Sequence, residues 1–237
     1  MEPTVYLIPS VLSEDAIETI PSYILSTVKG CQAFFVENER TARRFLKKLS
    51  KEIVIDEYEW FTIPKHEEDN RLMIVSFINK LKEGKNIGII SEAGCPGIAD
   101  PGQQLVALAH KQNAKVKPLV GPSSILLALM ASGLNGQQFQ FIGYLPIDQA
   151  ERAKELKELE TYSRKRNCTQ VFIETPYRNN QLLETITKVC MPSTLLSIAM
   201  NITSENEMIS TKTISEWKKH LPELHKQPVI FCLLASP

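Results

Sequence analysis

Residues 91–102 read "SEAGCPGIADPG" and follow the apolar run "NIGII". Glu92 and Asp100 sit there among Gly94, Pro96, Gly97, Pro101 and Gly102. Glycine admits conformations closed to other residues and lets a ligand approach the main chain, while proline fixes its own φ. Such a loop presents backbone N–H groups that suit a ligand carboxylate or hydroxyl. Its two acidic side chains suit a cationic partner such as an ammonium or a sulfonium. The segments "IPS" (8–10) and "VENER" (36–40) also leave apolar runs. Further on, "RTARRFLKKL" (40–49) sets Arg40, Arg43, Arg44, Lys47 and Lys48 at helical spacing, with Phe45, Leu46 and Leu49 free to face inward. That stripe can follow phosphates, or it can be an ordinary solvated helix face. A second cluster, "RKR" at 164–166, falls near the end of a helix, where positive charge suits the macrodipole anyway.

These residues need strand ends to hold them, and the pattern supplies them. Strands are expected over 4–9, 31–37, 86–90 and 114–120, with an extended run over 52–60. Helical patterns lie between them, over 14–28 (interrupted by Pro21), 41–50, 71–84 and 103–112. In the helix 71–84, Leu72, Val75, Ile78 and Leu81 share a face that the spacing predicts as buried. Strand, helix, strand at this interval indicates βαβ units and a mostly parallel sheet. A helix over 121–133 opens with Pro122, Ser123 and Ser124 and closes at Gly133. A second series follows: strands over 138–146, 169–175, 194–200, 207–214 and 228–235, and helices over 150–166, 179–190 and 215–221. The reading is two α/β domains, 1–120 with a mostly parallel sheet and 121–237 with a mixed one. In open α/β sheets ligands sit beyond the carboxyl ends of the strands, where the three segments above lie.

Composition excludes several classes. The 237 residues carry 27 Lys and Arg against 27 Asp and Glu. Zero net charge does not suit a general nucleic-acid coater or a membrane-surface protein, and it leaves room for a local basic patch. No apolar stretch approaches the length of a membrane span, and "MEPTVYLIPSVLSED" lacks the basic start of a signal peptide, so the expectation is a cytoplasmic protein. The sequons "NCT" at 167 and "NIT" at 201 carry little weight without secretion. Cys31, Cys95, Cys168, Cys190 and Cys232 are widely spaced, with no CxxC and no zinc spacing, so neither a disulfide framework nor a metal is expected. GxGxxG and Walker A loops are absent.

The loops, in this order, resemble the tetrapyrrole methylase superfamily of S-adenosylmethionine-dependent methyltransferases. The branch they resemble most methylates a cytidine ribose 2′-hydroxyl of small-subunit ribosomal RNA. "SEAGCPGIADPG" is similar to that branch's "SDAGTPxIxDPG", and "GPSSILLALMASGL" with "FQFIGYLP" to its "GPSAxxxALxxSGL…FxFxGFLP". "VENER" resembles "AEDTR", "FIETPYR" (172–178) resembles "FYESPHR", and His66 stands at the start of an "HxHNE" segment. The chain departs at "PSVLSED" (9–15), where the branch has "PTPIGNL", and Asn38 replaces an Asp. Glu68 and Asp69 replace a His and an Asn, and "MNITSENE" (200–207) lacks the two basic residues of "RELTKxxE".

The resemblance implies a cofactor, S-adenosylmethionine, in a cleft between the two domains. Pro9 would end the first strand beneath it, and the backbone of Ser91, Glu92, Ala93, Gly94 and Ala99 would line its methionine end. Ser123 and Ser124 would hold its polar groups, and Glu174, Thr175, Met200 and Asn201 would flank its adenosine. Displacement of the methyl group at an acceptor hydroxyl needs positioning and removal of a proton. Glu37, Glu39 and His66 are candidate bases, and Arg40 keeps the arginine of "AEDTR". Arg40, Arg43, Arg44, Lys47 and Lys48 are the candidate RNA contacts. The expectation is a homodimeric RNA methyltransferase. Methylation of a corrin or porphyrin precursor and a catalytically silent scaffold relative are the two alternatives.

Overall fold

A computed structural model describes residues 3–64 and 70–235, and it divides into two units, Met1–Ser123 and Ser124–Pro237. The first contains β1 (Thr4–Ile8), α1 (Ile24–Lys29), β2 (Ala33–Val36), α2 (Glu39–Leu49) and β3 (Glu59–Thr62). It continues with α3 (Asn70–Lys82), β4 (Ile87–Ile90), α4 (Gln103–Lys111) and β5 (Lys115–Pro118). All five strands are parallel, in the order β3-β2-β4-β1-β5. "AFFV" and "IGII" are wholly buried, as continuous apolar strands in a sheet covered on both faces must be. The pleat sends Phe34 and Phe35 to opposite faces, one packing with Ile24, Leu46 and Ile90, the other with Phe77, Ile87 and Leu105.

The strand order creates a switch point. After β1 the chain turns toward β2, and after β4 it turns the other way, past β1, to β5. The carboxyl ends of the adjacent strands β1 and β4 therefore open a crevice between diverging connections.

The second unit contains α5 (Ser124–Ser132), β6 (Phe139–Tyr144), α6 (Gln149–Arg166), β7 (Thr169–Ile173) and α7 (Asn179–Val189). β8 (Leu195–Met200), β9 (Met208–Thr213), α8 (Ile214–Trp217) and β10 (Val229–Leu234) complete it. Its sheet is mixed, in the order β6-β7-β10-β8-β9, with β10 antiparallel to both β7 and β8. β7 and β8 consequently run the same way. Their carboxyl ends meet the start of β10, where Ile173 pairs with Ile230 and Met200 with Val229.

Three local expectations are corrected. The run 52–60 is extended only from Glu59, because residues Ile55–Glu57 form a 3₁₀ turn that the Trp60 indole secures by donating to the Ile55 carbonyl at 3.1 Å. In α3 the buried face is Asn70, Met73, Phe77 and Leu81, while Leu72 is 80% and Val75 49% exposed. "RLMIVSFINKLK" carries two apolar faces, and the edge-on packing of Phe77 against Phe35 at 5.1 Å selects one. The helix expected over 215–221 is the single turn α8, opened by a capping box between Thr213 and Glu216.

Candidate active site

At the switch point the main chain closes on itself. Ser10 donates its N–H to the Gly94 carbonyl at 2.9 Å, and Gly94 returns the bond to Ser10 at 3.2 Å. The Ser10 hydroxyl donates to the Ser91 carbonyl at 2.9 Å, and the Ser91 hydroxyl to the Gly94 carbonyl at 3.2 Å. Gly94 holds φ at +73°, and a Cβ there would stand 3.2 Å from Leu12 and 3.3 Å from the Pro122 carbonyl. A Cβ on Gly121 would collide with the Pro9 ring, so Gly121 lies flush against the end of β1. Cys95 leans the same way, its Sγ 3.4 Å from the Pro122 carbonyl. Pro9, Ser91, Glu92, Ala93, Gly94 and Ser123 thus belong to one cluster of loops at the carboxyl edge of the first sheet.

The turn that follows is held from within. One oxygen of Asp100 accepts from the N–H groups of Gly97 at 2.8 Å and Gly102 at 2.7 Å. Burial pushes the Asp100 carboxyl above its ordinary range, opposed by those two N–H groups and the Ser91 hydroxyl. This corrects the reading of Asp100 as a partner for a cationic ligand, because its carboxylate is engaged by its own loop. Ala99, a non-glycine residue at φ +56°, carries strain that an Asp-clamped turn can sustain.

Glu37, just past β2, accepts the backbone N–H of Glu92 at 3.0 Å, so the candidate base is also a brace for the glycine loop. Asn38 caps α2, accepting from the N–H of Arg40 at 3.0 Å and of Thr41 at 3.3 Å, so its replacement of Asp leaves the cap intact. α2 buries Ala42, Phe45 and Leu46 and turns its basic residues outward. Arg43 pairs with Glu39 and covers the Trp60 ring, Lys47 donates to the Lys51 carbonyl, and Arg44 and Lys48 both engage Glu14. Arg40 is exposed at the start of the helix. His66 lies outside the described residues.

The remaining candidates lie in the second unit. Glu174 and Thr175 leave β7, Met200 ends β8, and Asn201 follows at φ +53°. The Glu174 side chain is fully buried. Its Oε1 accepts from the Thr175 N–H and from the Arg178 guanidinium, both at 2.6 Å, while Oε2 has no hydrogen-bond partner. Asn201 donates to the Gln227 side chain at 2.8 Å, and Asn179, whose Oδ1 is also buried without a partner, donates to the Gln227 carbonyl at 2.7 Å. Arg178 and Gln227 are participants that sequence reasoning missed. Arg178 was legible in "FIETPYR", four residues beyond a carboxylate, whereas Gln227 meets Asn179 and Asn201 only through the fold.

The model of the tetrapyrrole (corrin/porphyrin) methylases matches residues 22–218. The chain belongs to this family. The methylase is 29% identical over 213 residues to the ribosomal RNA small subunit methyltransferase I of Halalkalibacterium halodurans, covering 90% of this chain and 69% of that one. It is 30% identical over 211 residues to the Bacillus subtilis protein of the same name, covering 89% and 68%. In fold it resembles the methyltransferase CobJ, with a TM-score of 0.66 at 15% identity, covering 98% of this chain and 94% of that one. It also resembles a uroporphyrin-III-C-methyltransferase from Thermus thermophilus, with a TM-score of 0.56 at 14% identity.

This methylase is an S-adenosylmethionine-dependent methyltransferase. Its residues fit that donor. Nothing stands within 4 Å of a Cβ built on Gly97, so the loop leaves space there although the Gly97 N–H itself is held by Asp100, and Glu174 Oε2 is a buried acceptor still lacking a donor. In the first unit Ser91 to Gly94 are the residues that would hold its methionine end. When bound, the group supplies a methyl carried on a sulfonium.

Proposed function

We propose that the protein methylates a ribose 2′-hydroxyl of small-subunit ribosomal RNA, in the cytoplasm and as a homodimer. The observation that carries the reading is the crevice between β1 and β4. It brings the glycine loop, the Glu37 carboxylate and the start of the basic helix α2 to one end of one sheet. Glu37 braces the donor loop, and cations on the adjoining helix can hold the strand that presents the hydroxyl. The names of the similar Halalkalibacterium and Bacillus proteins support this substrate class. Among the described residues no helix is long and apolar enough to cross a membrane.

The test uses purified protein, donor labelled in the methyl group, and small ribosomal subunits from cells lacking the endogenous modification. Label is expected in one small-subunit nucleotide, resistant to alkali as a 2′-O-methyl linkage is. Label that enters a corrin or porphyrin precursor and never RNA would overturn the reading. Sedimentation of the same preparation gives the oligomeric state, with twice the mass of one chain as the expected result.

A further inference from the structure

A recess of about 110 Å³ in the first unit is not explained by the donor loop alone. Ser10 and Ser91 line it on one side and α2, with Phe45, Arg44 and Lys48, on the other, while Glu14 stands at its edge. Glu14 Oε1 accepts from the Arg44 guanidinium at 2.9 Å. Lys48 donates to the Glu14 carbonyl at 2.8 Å and lies 3.4 Å from Oε2. Arg44 and Lys48 are one helical turn apart, so a single anion answers both. The Glu14, Arg44 and Lys48 side chains are 67%, 46% and 36% exposed. Pairs so open to water contribute less than about 1 kcal/mol each, and another anion can displace Glu14.

An acceptor has to reach the donor in line, and this recess shares Ser91 and Glu92 with the donor loop. We propose that the acceptor RNA docks over this recess, with Arg44 and Lys48 as ligands of its phosphates and Glu14 as the internal anion that a phosphate displaces. Glu14 then acts as a specificity filter. A strand that offers phosphates to both cations opens the clamp, and one that offers neither meets a carboxylate. The proposal rests on the RNA reading above and adds the residue that resists binding.

The experiment measures binding of a fluorescent small-subunit RNA fragment by anisotropy, with S-adenosylhomocysteine present, across roughly 50–200 mM salt. Glu14→Gln is expected to tighten binding about fivefold. Arg44→Ala with Lys48→Ala is expected to weaken it at least tenfold and to reduce the salt slope by about 1.4 to 1.8. Added to that double variant, Glu14→Gln should do nothing. Calorimetric titration with S-adenosylmethionine, unchanged in every variant, confirms an intact fold. Wild-type binding that Glu14→Gln leaves unaltered, or tightens equally without the two cations, overturns the clamp and leaves the RNA reading standing. No RNA binding by wild type, with donor binding intact, overturns both.

Discussion

Ser10 and Gly94, far apart in sequence, exchange two backbone hydrogen bonds at 2.9 and 3.2 Å and so tie the carboxyl ends of β1 and β4 together. Those two strands are the pair whose connections diverge, so the tie fixes one wall of the crevice before any ligand arrives. The glycine loop is thereby preorganised at its start, by Ser10 and Ser91, and clamped at its turn, by Asp100.

Gly94→Trp tests whether that wall receives the donor. At φ +73° any side chain is strained, and one of this size meets Leu12 and the Pro122 carbonyl. Calorimetry is expected to give micromolar donor binding for wild type, roughly −8 kcal/mol, and no measurable heat for the variant. Circular dichroism should show the variant folded. Undiminished affinity in a folded Gly94→Trp would remove the donor from this loop.

Much of this was legible before the structure. Short apolar runs marked four of the five strands of the first sheet, and the glycine loop falls where it was read, at the carboxyl end of β4. The sequence was silent on pairings made through space, such as Ser10 with Gly94, Glu37 with the Glu92 N–H, and Glu14 with Arg44 and Lys48. It was ambiguous where two faces were equally apolar, as in α3, because periodicity cannot reveal that Phe35 waits for Phe77 rather than Val75. Asp100 was misread for a related reason. A carboxylate in a glycine-rich loop looks available until its own N–H neighbours are seen to hold it.

The Asp100 clamp makes stability depend on pH. Burial raises its carboxyl pKa in the folded state, so the folded protein holds that proton more tightly than the unfolded chain. The resulting stabilisation is complete below the ordinary aspartate value of 3.8 and is lost as pH rises through the folded value. Asp100→Asn keeps the oxygen that serves Gly97 and Gly102 and removes the charge. Relative to wild type it should gain stability at neutral pH, and the difference should shrink in acid. Asp100→Ala should lose about 1 kcal/mol or more, because the partly buried N–H groups of Gly97 and Gly102 lose their acceptor. Urea midpoints at both ends of the range decide it, and a pH-independent gap between Asn and wild type would count against this assignment.

In the second unit Arg178 is the counter-ion of a carboxylate with no exposed surface. Removing it by Arg178→Ala leaves the Glu174 charge buried and unpaired, which should cost about 3 kcal/mol. The double change Arg178→Ala with Glu174→Gln should recover most of that loss, because the neutral amide needs no counter-ion. Denaturant unfolding of the three proteins tests it. If the single variant is as stable as wild type, the pair is not what holds the "FIETPYR" turn.

Glu37 separates a brace from a base. Its Oε1 accepts the Glu92 N–H at 3.0 Å, and glutamine can keep that bond while losing the ability to take a proton. If bracing is the main role, Glu37→Gln should retain donor affinity and methyl transfer within about tenfold, while Glu37→Ala loosens the loop and raises the donor Kd. If Glu37 is the base, Glu37→Gln should cost about 100-fold or more in kcat with Kd unchanged, and the acid limb of the pH profile should disappear. The direct bond to the donor loop favours the brace, so the expected result is a near-normal glutamine variant and a defective alanine one. A glutamine variant that binds donor normally but has lost its acid limb would reverse that assignment and make Glu37 the group that accepts the hydroxyl proton.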